Sequence, residues 1–178
     1  MHDYLLMQPS KYAEELSAAF GYSETLFLAQ DFIIIKGENR KKVLQEIWKN
    51  KNKTTIFYAE SAEMLRFVLE KTPVDMIMGQ EGINQKDSLH YLCSGLDQVI
   101  CQIAAEKGKI IAFSFNEILQ SRDRGRLLGR MAFNLSLCQK YGLKTLFSSF
   151  SSNLKELRSA QDLQALRQVL ENKRNIYR

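Results

Sequence analysis

One arrangement recurs along this chain of 178 residues: an amphipathic helix, a polar turn, then a short apolar strand. Residues 94–114 show it in full. Ser94 and Asp97 have the spacing of a capping box. Leu96, Val99, Ile100, Ile103 and Ala104 fall on one helical face. Gly108 suits the left-handed conformation that ends a helix, and Ile110-Ile111-Ala112-Phe113-Ser114 follows as a buried strand. The same order returns where Leu127, Leu128, Met131, Leu135 and Cys138 form a stripe, Gly142 stops it, and Thr145-Leu146-Phe147-Ser148 reads as a strand.

Earlier repeats are Met64, Leu65, Val68 and Leu69 before Pro73 and strand 74–78, and Val43, Leu44, Ile47 and Trp48 before strand 55–58. Residues 10–20 with Thr25-Leu26-Phe27-Leu28 form another unit, and residues 31–35 a further strand beside it or in the next position. Tyr4-Leu5-Leu6-Met7 opens the series. Ser159 and Asp162 cap a final helix carrying Leu163, Leu166, Val169 and Leu170. Strands that alternate with helices predict a parallel sheet with helices packed outside it. Six to eight strands fit either a closed α/β barrel or an open doubly wound sheet. A full barrel takes about 250 residues, so the expected fold is a compact or incomplete TIM-like (β/α) barrel. Residues 1–178 are expected to form one domain around a single core.

Charge divides the chain. Residues 122–178 carry 12 Lys and Arg against 4 Asp and Glu, whereas residues 1–121 carry 13 against 16. The overall +5 therefore joins a basic third to a slightly acidic remainder. The basic part opens with Arg122, Asp123, Arg124, Gly125, Arg126 and then Arg130. On a helix starting near 123, Arg126 and Arg130 are four residues apart, and only Asp123 offers an acid nearby. Such a row is either a solvated face or a phosphate-binding one, since guanidinium forks match phosphate oxygens. Lys140, Lys144, Lys155, Arg158, Arg167, Lys173, Arg174 and Arg178 add to the same third.

Several chemistries find no support. Neither GxxxxGK[ST] nor GxGxxG occurs, which argues against nucleotide binding through those loops. His2 and His90 are the only histidines, too few for a metal-dependent phosphoesterase site without heavy use of carboxylates. His90 reads as structural; Asp75, Glu81 and Glu60 follow or flank strands and fit the lining of a barrel mouth no better than helix caps or solvated loops. Cys93, Cys101 and Cys138 have no metal spacing and read as buried thiols of a reducing compartment. No run of eighteen apolar residues predicts a membrane span, and the start of the chain lacks the pattern of a signal peptide. The expected location is cytoplasmic.

The block from Ser94 to Phe115, SGLDQVICQIAAEKGKIIAFSF, resembles the central signature of the archaeal ribonuclease P protein component 3 family, whose eukaryotic relative is the thirty-kilodalton subunit of nuclear RNase P and RNase MRP. The family tends to have Asn where Asp97 stands. The arginine stretch 122–130, the segment Asn134–Tyr141, the strand into Ser148-Ser149, and Leu157-Arg158-Ser-Ala-Gln-Asp162-Leu163 look like the same family in the same order. The last resembles its Arg-x-Pro-x-Asp-Leu closing motif, with Ala160 in place of proline. The likeness covers residues 90–170 well and the first half only by layout.

The resemblance implies an α/β barrel related to metal-dependent phosphoesterase barrels, without their metal site. It implies a subunit of the enzyme that removes the 5′ leader from precursor tRNA, in which the RNA subunit catalyses with Mg²⁺. Implied partners are the RNase P RNA, a small ferredoxin-like protein subunit in a heterotetramer, other RNase P proteins and, indirectly, precursor tRNA. The chain itself is expected to perform no chemistry, to need no cofactor and to touch no membrane. Expected RNA contacts are Arg122, Arg124, Arg126, Arg130 and Arg158, with Lys140 and Lys144; Phe133 and Leu137 are expected to dock the protein partner. The alternatives are a stand-alone metal-dependent phosphoesterase or nuclease barrel, and a stand-alone α/β RNA-binding protein.

Overall fold

A computed structural model describes residues 1–83, 86–87 and 92–172. Its strands are β1 (His2–Leu5), β2 (Glu24–Phe27), β3 (Phe32–Ile35), β4 (Thr54–Tyr58), β5 (Met76–Met78), β6 (Ile110–Ser114) and β7 (Lys144–Ser148). The helices are α1 (Lys11–Ala19), α2 (Arg40–Lys49), α3 (Ala62–Lys71), α4 (Gln98–Glu106), α5 (Phe115–Gln120), α6 (Arg124–Lys140) and α7 (Ala160–Glu171). All paired strands run parallel, in a sheet ordered β3-β4-β5-β6-β7 and a two-stranded sheet of β1 and β2. The mixed α/β class and parallel sheet match the sequence reading.

Local differences have local causes. β5 is shorter than the expected 74–78 because the Asp75 carboxylate accepts from the Thr55 amide at 2.7 Å and hydroxyl at 2.9 Å. A side chain thus takes a donor that would otherwise join a ladder. Asp97, not Ser94, caps α4, accepting from the Ile100 amide at 2.8 Å. α5 lies outside the expected pattern; Ser114 ends β6 and caps α5 in the same residue. Trp48 does not join the apolar stripe of α2. Val43 and Ile47 are buried, while Trp48, about 100° further around the helix, is 57% exposed. Gly108 and Gly142 hold the expected left-handed conformation at φ +64° and +66°.

Two apolar clusters fill most of the interior, and a third, smaller again, joins Leu5, Ala13, Phe27 and Leu157. The larger lies between the sheet and the helices, and includes Val43, Leu65, Ile77, Ile111, Met131, Leu135 and Leu163. The smaller draws Tyr4, Phe32, Ile56, Met76, Ala112 and Phe150 together, with Leu26 and Leu146 packed against them. It therefore takes residues from all seven strands or the segments just beyond them. Burial of each such Phe, Ile or Met stabilises the fold by roughly 1.5–3 kcal/mol. Tyr4, Phe32 and Phe150 pack ring against ring, with centroids 5.1–6.4 Å apart.

The ladder around this cluster has two gaps. Between β2 and β3 only one bridge forms, Leu28 to Phe32. Between β7 and β1 the connection comes chiefly from one carboxylate. Asp3, fully buried, accepts from Ser148 Oγ at 2.7 Å, the Ser149 amide at 3.0 Å and Ser149 Oγ at 2.8 Å. Burial pushes the Asp3 carboxyl up, and these hydrogen bonds oppose the shift.

Candidate nucleic-acid interface

Parallel strands send all their carboxyl ends to one pole, where the β6–α5 and α5–α6 connections place the arginine cluster. The pole is built around a sharp exit from β5. Gly79 has φ +79°, and a Cβ there would lie 2.7 Å from Cζ of Tyr58. Only glycine satisfies both conditions. A short 3₁₀ turn, Gln80–Gly82, then carries Gln80 and Glu81 inward, and both are buried.

Glu81 Oε1 accepts from Asn134 Nδ2 and Gln80 Nε2, each at 2.9 Å. Burial dominates its titration and pushes the carboxyl up to about 7; the hydrogen bonds oppose this, and the nearby Glu117 charge adds to it. Glu117 is raised too, first by burial. Asn134 Oδ1 in turn accepts from Ser94 Oγ. The Gly95 amide donates to the Gln80 carbonyl at 2.8 Å, and a Cβ at Gly95 would meet Ile83 Cδ1 at 2.2 Å. The Ser94-Gly95 pair is therefore spent on this network, which explains why Asp97 caps α4.

Arg130 belongs to the same network and corrects the expectation of an open arginine row. It is 3% exposed. Nη1 donates to the Glu81 carbonyl at 2.6 Å, and Nε and Nη2 meet Asp87 Oδ1 at 2.9 and 2.8 Å. The helix supplies no acid one turn away, as the sequence indicated; the partner comes from a loop 43 residues earlier. A buried guanidinium so engaged holds the fold and presents no open fork.

The remaining arginines are nearer the surface. Arg122 is exposed and, among the described residues, has no carboxylate partner. Arg124 is exposed but donates to the carbonyls of Ile118 and Leu119, closing the end of α5. Arg126 pairs with Asp123 at 3.4 Å. Arg158 is half-buried, donates to the carbonyls of Lys155 and Leu157, and lies over the Phe115 ring. Glu81, Lys86, Ser121, Asp123, Arg126 and Arg130 line a cleft of about 540 Å³. Its rim carries the charges of Lys86 and Arg126, which suit an anion.

Lys140 and Lys144 are exposed but do not join this pole. α6 runs from Arg124 to Lys140, about 24 Å at 1.5 Å per residue, so the two lysines lie at the opposite, amino pole of the sheet. The single basic surface implied by the sequence is two surfaces. Phe133 and Leu137 lie half-buried on α6, and Leu137 packs against the larger core.

Asp75, a candidate for the mouth, sits at the other end of β5, bound to Thr55. Glu60 is exposed after β4, and His2 pairs with Glu24 at 2.7 Å; His90 lies outside the described residues. Among the described residues, no group of three or more His, Cys, Asp or Glu side chains is placed to hold a metal ion. Cys101 and Cys138 are buried, with burial pushing both thiols up, Cys101 to about 11; Cys93 is only half-buried. Among the described residues no helix is long and apolar enough to cross a membrane.

Sequence reasoning missed Asp3, Ser94, Asn134 and the Ser148-Ser149 pair as network members. Asp3, Asn134 and the serine pair are polar residues set in an apolar strand, an apolar helix or a strand end, and that was the available signal; Ser94 lies in the loop before α4. Ser94, Asn134 and Ser148-Ser149 also stand in the blocks that carried the resemblance.

No family model matches the chain. Among curated proteins it is 32% identical over 136 residues to ribonuclease P protein component 3 of Methanosarcina acetivorans, covering 74% of this chain and 54% of that protein. The protein of the same name from Methanococcus vannielii is 22% identical over 172 residues, covering 94% and 68%. That from Methanosarcina barkeri is 37% identical over 78 residues. The chain thus spans about half the length of the first of these relatives and about two thirds of the second. Among solved structures, a chain of archaeal ribonuclease P with mature tRNA superposes with a TM-score of 0.70 at 22% identity, covering 96% of this chain and 72% of that one. That superposition establishes a shared fold. Sequence and fold lead to one conclusion: the chain is a homologue of archaeal ribonuclease P protein component 3.

Proposed function

We propose that this chain is a non-catalytic protein subunit of ribonuclease P, supporting an RNA catalyst that removes the 5′ leader from precursor tRNA. The observation that carries this reading is the shared name of its curated relatives, aligned over most of this chain. The solved structure of like fold belongs to an assembly containing tRNA, which supports RNA and protein partners. Catalytic chemistry in this reading comes from the RNA with Mg²⁺, and the protein supplies position. The seven strands around one cluster form an incomplete TIM-like barrel, its seams at β2/β3 and β7/β1.

At the carboxyl pole, Arg122, Arg126 and Lys86 face RNA phosphates, while Phe133 on α6 meets a small ferredoxin-like subunit. Contacts of this kind confer affinity with little base preference. The test is reconstitution: affinity capture of the chain from its native source should co-purify the tRNA-processing RNA and a small protein subunit. Capture of neither would remove the reading. Stoichiometric Zn²⁺ or Mn²⁺ in the purified chain, with cleavage of precursor tRNA in the absence of any RNA subunit, would replace it with a phosphoesterase.

A further inference from the structure

The amino pole of the sheet collects lysines from four consecutive crossovers. Lys49 and Lys51 precede β4, Lys71 precedes β5, Lys107 precedes β6, and Lys140 and Lys144 close the series at β7. These strands are neighbours in the order β4-β5-β6-β7, so the loops lie side by side. At about 4.8 Å between strands, the arc extends roughly 15 Å. That is about four phosphate steps at 3.4 Å per nucleotide along one strand of a duplex. All six lysines are exposed, and among the described residues none has a carboxylate partner.

Several of the acids nearby hold other partners. Asp75 accepts from Thr55, Glu70 pairs with Arg66, and Glu171 pairs with Arg167. Glu106 beside Lys107 and Glu46 one turn before Lys49 are exposed, and the Glu70 charge also acts on Lys71 and Lys107. Four of these lysines come from the part of the chain whose net charge is negative, so the surface is created by the fold. Cations also favour helix carboxyl ends, which accounts for Lys49, Lys71 and Lys140. It leaves Lys51 and Lys144, beyond the last helical turns, without a structural use. Two other lysines of this pole show the contrast: Lys53 donates to the Ala29 carbonyl and Lys109 to those of Thr72 and Val74.

We propose that this lysine arc is a second RNA-backbone-binding face, on the opposite pole from the arginine cluster. The proposal rests on the RNA-subunit reading given above and adds where a second contact lies. An RNA strand is favoured over an acidic protein because protein interfaces are depleted in lysine and built around apolar centres, whereas lysine is a standard phosphate contact. Trp48, the only tryptophan of the chain, stands exposed beside Lys49 and reports occupancy by its emission.

Labelled ribonuclease P RNA, transcribed in vitro, is titrated across a salt series with the full chain, with Lys51→Ala/Lys107→Ala/Lys144→Ala, and with Arg122→Ala/Arg126→Ala. None of the three lysines lies within a helix, and unfolding curves verify that the variants remain folded. Three lost phosphate contacts should lower the salt slope by about 2.7 and weaken binding on the order of a hundredfold at about 0.1 M salt, with loss of the Trp48 emission change. If the unaltered chain binds no RNA, the subunit reading and this inference fall together. If it binds and the lysine variant matches it in affinity and slope, the inference alone falls. Poly-glutamate binding as tight as ribonuclease P RNA binding, abolished in the lysine variant, would reassign the face to an acidic protein.

Discussion

The two poles of the sheet carry cations to opposite ends. At the carboxyl pole the guanidinium groups are mostly bound to the protein itself. Arg130 is buried on Asp87 and the Glu81 carbonyl, Arg124 closes α5, and Arg158 holds two carbonyls of its own loop. At the amino pole the lysines of four crossovers extend with no carboxylate partner among the described residues. A cluster conspicuous in sequence thus contributes much of its charge to holding the fold. A scatter that sequence passes over becomes a surface. The density of charge along a chain and its availability to a ligand are different quantities, and burial decides between them.

The comparison can be broken most directly at Arg130. Arg130→Ala takes the guanidinium from the Glu81 carbonyl and from Asp87, which keeps the Cys93 amide at 2.8 Å, and should lower stability by about 3 kcal/mol, read as a shifted urea midpoint with unchanged slope. A loss under about 1 kcal/mol would show that the carboxyl pole does not depend on its guanidinium. Arg130→Lys sharpens the point, because one ammonium cannot reproduce the fork that reaches both acceptors.

Glu81 gives the pole a pH signature. Its carboxyl ordinarily titrates at 4.5 and is pushed up to about 7 in the folded chain, chiefly by burial. Between those values the folded state binds more protons than the unfolded state. Stability should therefore fall as pH rises from about 4.5 to about 7, by a total of about 3 kcal/mol. The raised carboxyls of Asp3 and Glu117 act with the same sign. Glu81→Gln should flatten the profile over that range; an unaltered slope would assign the dependence elsewhere.

Gly79→Ala meets both a left-handed backbone and the Tyr58 ring, and should cost about 2 kcal/mol in thermal or chemical unfolding. At the other pole, Lys51→Ala, Lys107→Ala and Lys144→Ala should each stay within about 0.5 kcal/mol. A larger loss from any of them would make that lysine structural and weaken the contrast between the poles.

Periodicity carried most of the architecture. The stripes Met64-Leu65-Val68-Leu69 and Met131-Leu135-Cys138 bury as their spacing requires, and Gly108 and Gly142 end helices where expected. These are short-range regularities, and short-range regularities survive in a linear reading. The network at the carboxyl pole was not legible because its partners are distant in sequence. Asn134 meets Glu81 across 53 residues and Ser94 across 40. The arginine row misled for the same reason: helical spacing showed no acid near Arg130, and Asp87 approaches from outside the helix. Lys140 and Lys144 were grouped with Arg122–Arg126 by sequence, although a helix of 17 residues separates them.

The carboxylate that joins β1 to β7 sets a constraint on when the molecule can finish assembling. Asp3 and Ser148 are 145 residues apart, whereas β6 and β7 pair across the 34 residues from Ile110 to Lys144. Closing the longer span costs about 1 kcal/mol more in chain entropy. It also cannot occur during synthesis until β7 has left the ribosome. β1 is made before β7, so its buried acid must wait in water for three donors that arrive about 145 residues later. The order of manufacture and the order of assembly are thus reversed at that seam, and the late event is a single side chain losing its hydration.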